Sequence, residues 1–411
     1  MKVKIINIGD ELLIGQVVNT NAARMSQLLT EAGMEVDSVE TIGDDGSAIE
    51  NTLSNALASA DAVLVTGGLG PTKDDITKNV LCRMFDSELV ESEVALDNVK
   101  RIFAARGYEL TPVNRAQALV PRCCKVLNND LGTAPCMWFE RDGRVTVSLP
   151  GVPFEMEWLM KNRVIPALRE HFNTGTIINK NILVQGIGES FLSDLIEPWE
   201  TSLPANVKLA YLPVAGMVKL RLTARMQGNA DTTDINSLLP GLYALAGKHI
   251  VGEDCETMEE LVARAMTSRH LTLATAESCT GGAIAQRLTA LAGASEYFRG
   301  GVVAYSNDVK INMLGVSTDT LAAHGAVSEE TVREMAEGAR TRLGADYAVA
   351  TSGVAGPSGG TPEKPVGTVW TAIAGPDGTI AKLLHYGDRR QQTIDRTCNQ
   401  VLADIVRRVA L

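Results

Sequence analysis

The chain has 411 residues, with 38 Lys and Arg against 49 Asp and Glu, a formal net charge of -11 at pH 7 and a pI near 5.1. That length exceeds what one hydrophobic core usually serves, which predicts two or three domains, and the acidic balance argues against nonspecific binding to nucleic acid. With 45% hydrophobic and 21% charged residues the composition is that of a globular protein and excludes a disordered chain.

The opening segment, MKVKIINIGDELL, turns polar after a short apolar run and lacks a cleavage-like site, so no secretory signal is expected. No run is long enough to cross a membrane. Seven cysteines without a CxxC pair predict reduced thiols in a cytoplasm, and the adjacent Cys123 and Cys124 are poorly spaced for zinc. The five histidines are isolated and read as structural.

From the start, apolar runs and amphipathic stretches alternate: KVKIINIG, a helix near Thr20 to Ala32, MEVDSVETIG, a helix from Ser47 and DAVLVTGG. This order predicts an α/β domain with a parallel sheet and helices on both faces. SAIE at Ser47 to Glu50 fits a capping box. Two loops at the strand ends carry candidate chemistry, GDELL at Gly9 to Leu13 and TGGLGPTKDD at Thr66 to Asp75, on the edge where open α/β sheets bind ligands. Gly67, Gly68 and Gly70 can turn backbone amides towards a phosphate, and a helix beginning near Asp74 would aim its positive end the same way. Asp10, Glu11, Asp74 and Asp75 are hard oxygen donors suited to a magnesium-like ion on a diphosphate. Acids are also favoured in the first turn of any helix by its dipole, which is the competing explanation for Asp74 and Asp75.

Together with NRAQALVP at Asn114 to Pro121, GTAP at Gly132 to Pro135 and PGVPFEM at Pro150 to Met156, these loops resemble the three-layer molybdopterin-binding-like domain of the CinA family, over residues 1–170. The resemblance implies an ADP-ribose pyrophosphatase that depends on a divalent metal, Mg or similar. It places the metal at Asp10, Glu11, Asp74 and Asp75 and the ligand at Gly67, Gly68, Gly70, Thr72 and Asn114. Two departures stand out: Cys136 occupies an expected glycine after GTAP, and RCC at Arg122 to Cys124 replaces a small-residue turn. If position 136 needed a positive φ, a cysteine there would be strained.

Residues 171–250 alternate as a small α+β unit, with NKNILVQGIG, a helix around Glu189 to Glu197 and VKLRLTARMQ. It resembles the KH-like middle domain of CinA proteins. GIGE at Gly186 to Glu189 lacks both the GXXG spacing and the basic face of an RNA-binding KH loop, so a spacer or dimerisation unit is expected.

The last domain, 251–411, opens at a second capping box, TMEE at Thr257 to Glu260. HLTLATAE, His270 to Glu277, reads as a buried strand ending at Ser278, and Gly281 to Gly293 as the helix after it. Amide cleavage by serine needs a proton acceptor beside the hydroxyl and backbone donors around the oxyanion. Ser278 of AESCTGG and Lys310 of YSNDVK supply nucleophile and base, and amides around Thr280, Gly281 and Gly282 at the helix start suit an oxyanion or a phosphate. Competing explanations remain at this level: ESCTGG as a plain helix cap, Cys279 as a rival nucleophile or a small buried side chain, Tyr305 as a core aromatic, Lys310 as a surface lysine.

AESCTGG, YSNDVK and SGVAGPSGG at Ser352 to Gly360, in order with HGAVSEE at His324 to Glu330 and EKPVGTVW at Glu363 to Trp370, resemble the CinA C-terminal domain, over residues 255–405. The resemblance implies deamidation of nicotinamide mononucleotide to nicotinic acid mononucleotide and ammonia, without a cofactor. It implies Ser278 as nucleophile, Lys310 as base and Tyr305 orienting the pair, with Thr280, Gly281, Gly282, Asn307, Gly353, Gly356 and Arg389 around the substrate. The expected ligands are pyridine nucleotides and ADP-ribose, the expected assembly a homodimer. The alternative is a pterin- or nucleotide-binding, competence-associated partner protein whose catalytic loops are vestigial.

Overall fold

The computed structural model describes residues 1–70, 75–173, 177–226 and 233–410. Thr72 and Asp74 lie outside them. The chain divides into two compact units, Met1–Ile177 and Ile178–Ala224 with the chain from 233 onward.

The first unit is built on β1 (Lys2–Ile8), α1 (Thr20–Glu31), β2 (Glu35–Ile42), α2 (Gly46–Ser59), β3 (Ala62–Thr66), α3 (Thr77–Met84), β4 (Lys125–Leu127), β5 (Cys136–Arg141), β6 (Arg144–Leu149) and α4 (Pro153–Leu159). Its sheet runs β2-β1-β3-β6-β5-β4. The first four strands are parallel, and β5 and β4 are added antiparallel at one edge. The apolar run of β1 serves both faces, as expected for a central strand. Val3 and Ile5 join Met25, Leu29, Met156 and Leu159 in one core, while Ile6 and Ile8 join Ile49, Leu53, Val80 and Leu81 in the other. The result is three layers. β2 and β3 flank β1, so the chain reverses its winding beside β1, and a crevice opens there at the strand ends.

Two local readings are corrected. The cap of α2 is Asp45, whose side chain accepts the Ala48 amide at 2.8 Å, so the helix starts before the proposed Ser47 box. Cys136 begins β5, is fully buried and has no positive φ, so it carries no backbone strain. Burial pushes its thiol far above the usual range.

In the second unit the order is β7 (Ile177–Gln185), α5 (Glu189–Thr201), β8 (Val207–Val214), β9 (Met217–Arg225), α6 (Leu239–Ala246), β10 (Ile250–Glu253), α7 (Met258–Thr267), β11 (Leu273–Glu277), α8 (Ala283–Thr289), β12 (Phe298–Val303), α9 (Glu329–Arg342), β13 (Tyr347–Gly353), β14 (Thr368–Gly375), β15 (Gly378–His385) and α10 (Arg390–Ala410). A four-stranded sheet, β8-β9-β7-β10, carries the KH-like part, and a five-stranded sheet, β12-β11-β13-β14-β15, carries the last domain. In the latter β11 is parallel to β12 and β13, whereas β14 and β15 return antiparallel. Met258, Leu261, Val401 and Ile405 of α7 and α10 cover one face, Val332, Met335 and Ala339 of α9 the other. The two sheets share a core, for Leu183 and Met217 pack with the α7 and α10 residues. Polar contacts add to it: Asn399 Nδ2 donates to Ala215 O at 2.7 Å, and Gln185 Nε2 to Gln400 Oε1 at 2.7 Å.

Candidate active site

β11 is buried along its whole length and delivers the chain to a turn at residues 278–282. The Ser278 amide donates to Thr351 O of the neighbouring strand at 2.9 Å, which fixes the start of that turn. Lys310 lies on a helical segment whose last turn, Lys310–Leu314, is widened to a π-helical pitch. Its side chain is 1% exposed, and its Nζ donates to Ser278 Oγ at 3.2 Å and to Ala304 O at 2.7 Å, with Tyr305 O at 3.5 Å. Burial lowers the lysine pKa below its ordinary value of 10.5, opposed by the Cys279 thiol. A neutral amine has two N–H groups and one lone pair. As an ammonium Lys310 donates to all three oxygens; as a neutral amine it keeps the two carbonyls as acceptors and its lone pair accepts from the Ser278 hydroxyl.

Cys279, the rival nucleophile, packs with Ala355, Val369 and Leu384, and burial pushes its thiol up to about 12. Thiolate chemistry is therefore disfavoured at that position.

The residue that organises the turn is one the sequence did not single out. Glu277, the last residue of β11, is 1% exposed, and its carboxylate accepts from Thr280 Oγ1 at 2.7 Å and from the amides of Gly282, Ile284 and Ala285 at 3.0, 3.0 and 2.8 Å. The donors at the start of α8 are thus occupied by the protein itself, and the expected anion site around Gly281 and Gly282 is not available there. The Gly281 amide donates to Ser278 O. Thr280 Oγ1 also contacts Thr351 Oγ1 at 2.8 Å, so this side chain is structural and buried. Among the described residues neither the Cys279 amide nor the Thr280 amide donates to a protein oxygen, so the turn keeps N–H groups that an oxyanion could use. A carboxylate at the end of a strand just before a Ser-Thr-Gly turn was the available signal.

Tyr305 is 63% exposed, and its hydroxyl contacts neither Ser278 nor Lys310. It instead accepts from Arg390 Nη2 at 3.4 Å, while Arg390 Nη1 donates to Gly356 O at 3.0 Å. Arg390 thereby joins the YSN and SGVAGPSGG loops. Its neighbour Arg389 is exposed and caps α10 through its carbonyl, which accepts the Thr393 amide. Asn307 is exposed at the start of the Lys310 segment. Gly353 has no room for a side chain, since a Cβ would lie 2.7 Å from Thr368 O, and Gly356 has φ +85°.

The first unit holds a cavity of about 370 Å³ at the ends of β1 and β3, lined by Asn7, Glu11, Asn21, Asp44, Gly68 and Asp75 among others. A Cβ at Gly67 would fall 2.1 Å from Ile8 O, so only glycine lets β3 turn against β1. The amides of Gly67 and Gly70 are taken by Leu149 O at 3.3 Å and Asp75 Oδ1 at 2.7 Å. They do not face a phosphate. Asp10 and Asp44 exchange backbone-to-carboxylate bonds of 3.0 and 3.3 Å, and of these two only Asp44 reaches the cavity wall. Asn114 sits on a short helix, Pro112–Arg115, away from that wall. Asn7 and Asn21 were missed by the sequence reading. Asn21 Nδ2 donates to Gly151 O at 2.7 Å, tying the PGVPFEM loop to the crevice.

Among the described residues, no three His, Cys, Asp or Glu side chains converge to hold a metal by themselves. The wall acids Glu11, Asp44 and Asp75 fit a different type of site, in which a magnesium-like ion takes one or two carboxylates and completes its shell from substrate phosphates and water.

Three family models match the chain: "Probable molybdopterin binding domain" over residues 4–170, "Damage-inducible protein CinA KH domain" over 179–238 and "CinA C-terminal domain" over 255–409. A CinA-like protein of Flavobacterium psychrophilum is 42% identical over 412 residues, covering 100% of this chain and 99% of its own. One from Cytophaga hutchinsonii is 42% identical over 413 residues, covering 98% and 97%. Among solved structures, a competence/damage-inducible protein of Agrobacterium tumefaciens is 43% identical over 38% of this chain and 96% of its own, with a TM-score of 0.36. No helix among the described residues is long and apolar enough to cross a membrane. The chain belongs to the CinA family, with its molybdopterin-binding-like, KH-like and CinA C-terminal domains in that order.

Proposed function

We propose that the C-terminal domain is a serine–lysine amidohydrolase that converts nicotinamide mononucleotide to nicotinic acid mononucleotide and ammonia. The observation that carries this reading is the buried Lys310 amine 3.2 Å from the Ser278 hydroxyl. The neutral amine accepts the Ser278 proton as Oγ bonds to the carboxamide carbon. Negative charge moves to the former carbonyl oxygen, for which the turn keeps free N–H groups. The Lys310 ammonium returns the proton to the departing nitrogen, ammonia leaves, and an ester on Ser278 remains. Water, deprotonated by Lys310, then cleaves that ester and frees the carboxylate product.

For the first unit we propose a metal-assisted cleavage of a nucleoside diphosphate sugar such as ADP-ribose, with Glu11, Asp44 and Asp75 as the carboxylates that hold the ion. When bound, the ion neutralises diphosphate charge. The chain's own part is to hold the ligand in the crevice of Asn7, Asn21 and Gly68.

The amidohydrolase reading is tested by acid-quenching the protein during turnover of nicotinamide mononucleotide and weighing its peptides. The expected adduct has the mass of substrate less ammonia and sits on the Ser278 peptide. Ammonia release with the adduct on Cys279, or no ammonia at all, overturns it.

A further inference from the structure

We infer that the first unit carries a second ligand site, for an organic phosphate of nucleotide size, in a cavity at the other end of α3 from the crevice. This site stands independently of the two activities proposed above.

The cavity measures about 640 Å³ and lies between α2, the end of α3 and the hairpin that joins β5 to β6. That volume is within the range of small-molecule sites, roughly 300–1,000 Å³. α3 links it to the crevice: the helix starts at Thr77, whose Oγ1 donates to Gly67 O at 3.3 Å, and ends at Met84 on the cavity wall. In a chain of net charge -11, this wall carries three arginines, Arg83, Arg141 and Arg144, against two acids, Glu50 and Asp142.

The arginines are held differently. Arg141 is fixed in place: its guanidinium lies 4.8 Å above the Phe85 ring, Nη1 donates to Met84 O at 2.5 Å and Nη2 to Asp86 Oδ2 at 3.2 Å. Arg83 stands 3.9 Å from the Glu50 carboxylate, beyond hydrogen-bond length. Arg144 is half-buried, and among the described residues its side chain has neither a hydrogen bond nor an ion pair.

A second, uncharged group points to the same occupant. Thr146, two residues along β6, lines the cavity, is 1% exposed, and its Oγ1 has no hydrogen-bond partner among the described residues. A buried hydroxyl left unpaired costs stability, and a ligand oxygen in the cavity would accept its proton. Two guanidinium forks with free donors, together with that hydroxyl, suit a group with several oxygens and more than one negative charge. A phosphate or diphosphate meets that description, and a single carboxylate does not.

The test uses the full-length protein with ADP as the probe and adenosine, which lacks the phosphates, as its control. A chelator is present throughout, so that no metal-dependent site contributes. Calorimetric titration gives Kd, and an arginine-selective dicarbonyl reagent followed by peptide mass mapping reports which arginines the ligand covers. ADP, but not adenosine, is expected to protect Arg144 from the reagent. Arg144→Ala removes no contact within the described residues and should raise the Kd for ADP by about 10- to 100-fold. Arg144→Lys keeps the charge without the fork and should fall between. Thr146→Val keeps the shape without the hydroxyl and should raise the Kd by about 3- to 10-fold. No binding of ADP, no protection of Arg144, equal protection by adenosine, or a Kd unchanged in either Arg144→Ala or Thr146→Val overturns the inference.

Discussion

The Glu277 carboxylate accepts the Ala285 amide at 2.8 Å, joining the end of a strand to the first turn of the helix eight residues later and enclosing the nucleophile turn between them. The same carboxylate takes two further amides and one hydroxyl. Removing it leaves the amides of Gly282, Ile284 and Ala285 without their acceptor, while the Thr280 hydroxyl keeps Thr351 Oγ1. Glu277→Ala should therefore destabilise the fold by about 3 kcal/mol, since charge-assisted bonds and orphaned donors each count for one to three. Denaturant unfolding of the variant checks it. A loss below about 1 kcal/mol would mean that water replaces the carboxylate.

A second expectation concerns pH. Burial lowers the Lys310 pKa below 10.5, so the amine becomes a base at lower pH than an exposed lysine. Ammonia release should rise as pH climbs through that lowered value and level off above it. Folding stability carries the same sign. Between the folded pKa and 10.5 the unfolded chain binds more protons, so stability also rises with pH. Lys310→Met should abolish that rise in a pH series of unfolding curves, and Lys310→Arg, which cannot deprotonate, should lose activity by about a thousandfold.

Gly67→Ala tests the crevice of the first unit. Its φ is +112°, and the added carbon would lie 2.1 Å from a backbone oxygen of the neighbouring strand, with no flexible side chain to yield. A loss of about 2–4 kcal/mol is expected by thermal unfolding, within the range for strain and overpacking. At Gly15, also at positive φ but with open space around it, the same change should cost only the left-handed conformation, about 1 kcal/mol.

Metal dependence should divide the two activities. A chelator is expected to stop ADP-ribose cleavage and leave ammonia release unchanged, because acids line the first cavity while the Ser278 site works through an amine. Glu11→Gln and Asp44→Asn should weaken cleavage at a fixed magnesium concentration and recover part of it at higher magnesium. Loss of ammonia release on chelation would contradict the assignment of a metal-free second site.

Much of this was legible in the sequence, for physical reasons. A buried strand such as β3 is an almost continuous apolar run, and a glycine such as Gly67 at its end marks a turn that no other residue fits. The antiparallel edge of the first sheet was not legible, because periodicity does not report strand direction. Nor were hydrogen-bond partners. The sequence shows that Gly70 and Gly282 have amides near a helix start, but not that Asp75 and Glu277 fold back to occupy them. Arg389 and Arg390 are indistinguishable as letters. Only the first turn of α10 decides which one reaches Gly356.

In the proposed reaction Ser278, not its neighbour Cys279, attacks the amide. The most direct measurement is ammonia release from nicotinamide mononucleotide by Ser278→Ala and Cys279→Ser, assayed beside the wild type at a pH above the Lys310 transition. Ser278→Ala is expected to fall by at least about a thousandfold while Cys279→Ser keeps most of the activity. An active alanine variant, or a serine variant that loses turnover, would contradict it.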